Sequence, residues 1–250
     1  MAFKNAQSSH EHSKYILDLL YGYDSFLDSL TVVADFGCGA GLDAEWWATL
    51  TTRDVPPVPR NYIVYAIDKD ISQVASHVND LPNVHLFQAD FDNDRVIPRA
   101  CDLLWSHDSF QYSTNPLQTL KFWNQQLNTN GMLMLSLPQS TFNEYNRQQS
   151  NSYSGVYYNY NLVTLMYMLA VSGFDCRDAY FYKPTNDPWV YAAVYKTSEP
   201  LDLKTTNWHT LVDLNVVNDS VKASLNSHSH VRQEDLIVTW LDKDYYRIKE

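Results

Sequence analysis

The sequence predicts an α/β fold built on a doubly wound, mostly parallel sheet, and three observations predict it. From residue 31 to residue 137, short β-branched apolar runs alternate with stretches of helical spacing. The centres of the runs are apolar throughout, as strands covered on both faces require. Three of the chain's seven glycines, Gly37, Gly39 and Gly41, fall within five residues between the first run and the helix after it.

The elements follow in order. "EHSKYILDLLYGYDSFLDSL" carries Ile16, Leu19, Leu20, Tyr23, Phe26, Leu27 and Leu30 at helical spacing, and Gly22 splits it into two short helices. "TVVADF" is a strand. "LDAEWWATL" is a helix with Trp47, Ala48 and Leu50 available to a core. "TTRDVPPVPRNY" is a loop, because its prolines forbid a regular element. "YIVYAID" and "VHLFQAD" are strands on either side of a weak helix, "ISQVASHVNDL", and "CDLLWSHD" is a fourth strand. "PLQTLKFWNQQL" is a helix with proline in its first turn, "NTNG" a turn and "MLMLSL" a fifth strand. Residues 139–160 are polar and Tyr-rich without a period, and read as a long, lid-like loop. "NLVTLMYMLAVSG" is a helix ending at Gly173, and "DCRDAYFYK" and "WVYAAVYK" form a terminal hairpin. This divides the chain into a helical segment over residues 1–30, a core over 31–198 and an accessory segment over 199–250, the last a small helical cap or an interaction arm.

Composition excludes several classes. The 250 residues include 18 basic and 29 acidic side chains, a net charge of −11, with no Lys/Arg-rich block. Duplex nucleic acid and anionic membranes are therefore disfavoured partners. No apolar run approaches a membrane span, and no signal peptide is visible. Cys38, Cys101 and Cys176 lie far apart and are odd in number, which fits a reducing, cytoplasmic location and no disulfide framework. His10, Glu11 and His12, and His228 with His230, are read as solvent-exposed, so no metal is expected.

The glycines sit in the pattern Asp35-x-Gly37-x-Gly39-x-Gly41, where they permit positive φ and close approach of a ligand. The helix beyond offers free N–H groups. The next strand ends at Asp68, 27 residues past Gly41, where a carboxylate can accept from ribose hydroxyls. The third ends at Asp90, followed by Phe91: a carboxylate for an adenine amino group with an aromatic beside it. A nicotinamide dinucleotide fits less well, because its G-x-G-x-x-G would need glycine where Leu42 stands.

Together, "VVADFGCGAG", "YAIDKD", "LFQADFD" and "CDLLWSHDSFQY…LNTNGMLMLSLP" resemble the class I S-adenosylmethionine-dependent methyltransferase family, over roughly residues 31–138. The resemblance implies a Rossmann-like sheet of seven strands with the last antiparallel, and S-adenosyl-L-methionine as cofactor. It implies that Asp35 fixes the loop and the methionine amino end, while Gly37, Cys38, Gly39 and Gly41 border the cofactor. It also implies that Asp68 and Lys69 lie at the ribose, Asp90 and Phe91 at the adenine, and Ser106 at the methionine portion. "WSHDSFQY" is similar to a small-molecule (type 11-like) subgroup acting on amines such as glycine derivatives and phosphoethanolamine. That subgroup carries S-x-D-x-x-x-H. Here Asp108 matches the aspartate, while Tyr112 stands at the histidine, so the acceptor-side candidates are His107, Asp108 and Tyr112. The expected reaction is methyl transfer to an O or N atom of a small molecule. The alternatives are a non-catalytic docking protein on the same fold, or an enzyme using this cofactor for other chemistry. The sequence carries no signal for oligomeric state.

Overall fold

The computed structural model describes residues 13–236 apart from 15, 19, 94–95, 139–159 and 183–188. The lid-like loop (except Tyr160), His10 to His12, the link of the terminal hairpin and residues 237–250 lie outside the described residues.

Seven strands form one sheet: β1 (Val32–Phe36), β2 (Ile63–Asp68), β3 (Val84–Gln88), β4 (Cys101–His107), β5 (Leu127–Pro138), β6 (Phe174–Tyr182) and β7 (Trp189–Lys196). Their order is β3-β2-β1-β4-β5-β7-β6. The pairs from β3 through β5 are parallel, and β7 runs antiparallel to both β5 and β6. The order reverses between β1 and β4, so the ligand crevice of such a sheet opens at the carboxyl ends of these two strands.

Strand residues alternate between two buried layers, the two-residue period of a pleated strand covered on both faces. Val33, Val64, Ala66, Leu103 and Trp105 share one layer with Ile16, Leu17, Leu20, Leu27, Trp47 and Val78 from helices. Val32, Ala34, Phe36, Ile67, Leu104, Leu133 and Leu135 share the other with Leu120, Trp123, Leu165 and Leu169.

The helices are α1 (residues 13–20), α2 (Asp24–Asp28), α3 (Leu42–Thr49), α4 (Ser76–Asn79), α5 (Pro116–Gln126), α6 (Leu162–Val171), α7 (Trp208–Asp213) and α8 (Asp219–His228). A turn at Tyr21 and Gly22 separates α1 from α2, as the sequence predicts. Four asparagines, Asn115, Asn161, Asn207 and Asn218, cap α5, α6, α7 and α8 through their side-chain oxygens.

Two local expectations change. "ISQVASHVNDL" is not one helix but a 3₁₀ turn at Ile71–Gln73 followed by the one-turn α4. The run has β-branched Ile71 and Val74 and buries only Val78, too little apolar surface to hold a longer helix. "NTNG" does not precede β5 but lies within it. The β4–β5 register jumps from Cys101↔Leu127 to Leu103↔Met132, and Asn130 turns at φ 63° in that excursion. The accessory segment is a cap as far as residue 236. Leu211, Val217, Val221, Leu225 and Leu236 are buried in the second layer, and Val217 bridges Cys176 of β6.

Candidate functional site

The three glycines between β1 and α3 do three different things. All have positive φ: 82° at Gly37, 51° at Gly39 and 80° at Gly41. A Cβ on Gly37 would lie 2.3 Å from the Cβ of Ser109, so this glycine lets the chain after β4 pass against the loop. A Cβ on Gly41 would meet Val74 and Val78 at 3.1 Å, so it lets the chain after β2 close over α3. A Cβ on Gly39 would meet nothing within 4 Å among the described residues. Gly39 therefore borders open space, the room a ligand needs.

The acids converge on this loop. Asp68 Oδ2 accepts from the Gly39 N–H at 2.9 Å and Oδ1 from the Asp70 N–H at 3.0 Å. The Gly37 and Cys38 N–H groups donate to the Ile67 carbonyl at 2.8 and 3.0 Å, which pins the loop to the end of β2. Asp35 is 2% exposed, and among the described residues its Oδ2 has no hydrogen-bond partner. Burial pushes its carboxyl well above the usual carboxylate range, and the nearby charges of Asp43 and Asp68 add to this; the Ala44 N–H opposes them. A buried, partnerless acceptor beside two carboxylates suits a cationic group with N–H donors. Burial likewise raises the Cys38 thiol, with Asp35 and Asp68 adding to it, so Cys38 is a packed thiol.

The adenine candidates are arranged less openly. Lys69 Nζ pairs with Asp90 Oδ2 at 3.1 Å and lies 5.9 Å from the centroid of the Phe91 ring. Phe91 is 6% exposed, with its ring set edge-on to Trp123 at 5.8 Å.

The end of β4 forms the other wall. The hydroxyls of Ser106 and Ser109 share a hydrogen bond at 2.7 Å, and Ser109 Oγ donates to the Phe36 carbonyl at 2.8 Å. His107 is 7% exposed; its Nδ1 contacts Ser136 Oγ of β5, and its ring lies parallel to that of Trp105 at 6.3 Å. Asp108 turns the chain at φ 52°, and its Oδ1 accepts from Gln111 Nε2 at 2.5 Å. Tyr112 ends the 3₁₀ turn Phe110–Tyr112 and is half-buried.

Sequence reasoning missed Asp43, Ser13, Ser109 and Ser136. Asp43 accepts from Ser13 Oγ of α1 at 2.6 Å and from Trp105 Nε1 at 2.9 Å, joining the leading helix, the glycine loop's helix and β4. Ser109 and Ser136 complete the set. Only Asp43 had a signal, an acid in the first turn of a helix. Among the described residues no group of three or more His, Cys, Asp or Glu could hold a metal ion. His230 Nδ1 lies 2.8 Å from the His228 carbonyl, in contact with backbone. No helix among the described residues is long and apolar enough to cross a membrane.

This site, a glycine loop and strand-end acids at the switch point of a mostly parallel sheet, is the nucleoside-binding kind found in Rossmann-like folds. Residues 34–135 match the family described as Methyltransferase domain. That segment thus resembles a methyltransferase domain, over less than half of the 250 residues.

A curated relative, malonyl-[acyl-carrier protein] O-methyltransferase 2 of Coxiella burnetii, is 28% identical over 107 residues, 43% of this chain and 41% of that protein. Among solved structures, the CurJ carbon methyltransferase superposes with a TM-score of 0.55 at 14% identity, covering 67% of this chain and 49% of that one. The 1,6-didemethyltoxoflavin-N1-methyltransferase of Burkholderia thailandensis, solved with its substrate and S-adenosylhomocysteine, superposes with a TM-score of 0.51 at 14% identity, covering 78% and 86%. The chain thus spans less than half the length of the first two. The structural likenesses are likenesses of fold.

Proposed function

We propose that this protein transfers the methyl group of S-adenosylmethionine to an oxygen or nitrogen atom of a small molecule. The observation that carries the reading is the pairing of open space at Gly39 with the buried, partnerless Asp35 Oδ2, both beside Asp68.

When bound, the cofactor supplies a methyl carbon made electrophilic by its sulfonium. The chain's own residues hold it. Asp68, already oriented by the Gly39 and Asp70 N–H groups, keeps lone pairs for the ribose hydroxyls. Asp90 accepts from the adenine amino group once Lys69 yields part of the carboxylate. Asp35 faces the cationic methionine end, where a positive charge favours its ionised form. His107, Asp108 and Tyr112 stand on the acceptor side. Residues 199–236 complete the fold as an accessory segment. Alignment and exclusion of water are what such a site adds to a cofactor already reactive.

The methyl acceptor is a small molecule on this reading. The related proteins named above act on O, C and N atoms, so the fold does not select the atom. The net charge of −11 argues against a nucleic acid acceptor. Three buried, free cysteines suit the cytoplasm.

Calorimetric titration with S-adenosylmethionine, S-adenosylhomocysteine and NAD tests the reading. Binding of the first two and not of NAD is expected, and Asp68→Ala should weaken both by at least about tenfold, some 1.4 kcal/mol. A protein that binds neither sulfur nucleoside is not a methyltransferase, and the docking-protein reading takes its place.

A further inference from the structure

Two acids at the carboxyl ends of β2 and β3 are built alike. Each opens an Asp-x-Asp pattern, Asp68-Lys69-Asp70 and Asp90-Phe91-Asp92. In each, Oδ1 accepts from the N–H two residues on, at 3.0 Å in both cases. That bond orients the carboxylate and leaves Oδ2 for another donor. Asp68 Oδ2 accepts from the Gly39 N–H of the glycine loop at 2.9 Å. Asp90 Oδ2 instead meets the ammonium of Lys69 at 3.1 Å.

Lys69 is fixed by its backbone and free in its side chain. Gln88 Nε2 donates to the Lys69 carbonyl at 3.1 Å, and the Ala89 N–H donates to the Asp68 carbonyl at 3.0 Å, so this stretch stays tied to β3. The side chain reaches across to Asp90, with its ammonium 5.9 Å from the centre of the Phe91 ring, within reach of a cation–π contact. The pair stands open to water, the Lys69 side chain 52% exposed and that of Asp90 36%. An ion pair so exposed shifts an equilibrium by about fivefold or less, so a ligand can displace it.

We infer that Lys69 is an internal competitor for Asp90: in the free protein its ammonium fills the donor's place at this carboxylate, and a ligand binds by putting an amino group there instead. The inference rests on the proposed function, which gives Asp90 to the adenine amino group and Phe91 to the adenine ring. The exchange replaces one donor by another at Asp90 Oδ2. It returns the ammonium to water, so no charge is left buried without a partner. A base that lacks an amino group makes no claim on Asp90 and leaves Lys69 where it is. Lys69 therefore weakens the hold on bases that carry an exocyclic amine and spares those that do not. It sets how tightly S-adenosylmethionine and its demethylated product are kept.

Calorimetric titration of the full chain and of its Lys69→Met variant tests this. The two ligands are S-adenosylhomocysteine and its analogue with purine in place of adenine, which lacks only the amino group. Both carry the same charges, so the altered charge of the variant acts on them alike. Lys69 is half exposed, and equal melting temperatures of parent and variant check that the fold is kept. Lys69→Met should bind S-adenosylhomocysteine about threefold to fivefold more tightly than the parent, with the affinity for the analogue unchanged. Weaker binding of S-adenosylhomocysteine by the variant makes Lys69 a ligand contact and overturns the inference. Unchanged binding overturns it too, since nothing then competes. Equal tightening of both ligands shows that Lys69 only takes up room, and overturns it as well. Each of these outcomes leaves the proposed function standing, whereas a parent and a variant that bind neither ligand refute the proposed function and the inference with it.

Discussion

Gly39 and Gly37 look alike in the sequence and differ in their surroundings, so the same substitution has different consequences. Gly37→Ala drives a methyl group into Ser109 and the hydrogen bonds it makes to Ser106 and Phe36. We expect a loss of about 2–4 kcal/mol in chemical denaturation. Gly39→Ala meets open space, so stability falls by only about 1–2 kcal/mol for the left-handed backbone. Its calorimetric affinity for S-adenosylmethionine should fall at least tenfold, because the methyl group occupies ligand space.

Asp35 makes a prediction of another kind. Its native pKa is raised, so the folded protein keeps a proton that the unfolded chain releases near pH 3.9. Stability from this group is fully present below that value and is lost as pH rises toward the native pKa. Asp35→Asn removes the slope. Its melting temperature should exceed that of the parent at pH 8, with the gap closing toward pH 5, while its affinity for S-adenosylmethionine is lower.

The elements the sequence left most open are the C-terminal helices, read as a small helical cap or an interaction arm. α7 and α8 are short, and their apolar residues are few. Their stability comes from burial beside α6 and β6, with capping by Asn207 and Asn218. Leu211 is fully buried, so Leu211→Ala should cost about 2–5 kcal/mol by denaturant titration. Removing residues 201–250 should unfold the core, whereas a docking arm could be deleted without lowering the melting temperature. Four asparagines are helix caps that the sequence reading did not single out. The reason is positional: a cap is recognised by the helix it begins, and these helices form only against the finished sheet.

At the scale of the molecule, the glycine loop, the end of β2 and the end of β4 meet at one switch point, so a ligand there ties together chain segments far apart in sequence. A ligand at a hundred times its dissociation constant stabilises the native state by about 2.7 kcal/mol, or roughly 5–11 °C in melting temperature for a chain of this size. S-adenosylhomocysteine should produce such a shift, and NAD should produce none.

The sequence by itself determined the layered architecture, because apolar runs of strand length alternating with helices have few stable arrangements. It also named the candidates for the cofactor half of the site, because Asp35, the glycines, Asp68 and Asp90 stand at or just past the ends of strands the pattern locates. Only the tertiary structure decided the rest. Whether a glycine serves a turn, a neighbour or a ligand depends on what lies across from it, and Ser109, Val78 and empty space are not local facts. Which group meets His107 Nδ1 depends on β4–β5 pairing, which brings Ser136, 29 residues away, beside it. Hydrogen bonds and close contacts are short-ranged in space, not along the chain, so residues that tune a site become legible only when the sheet has assembled them.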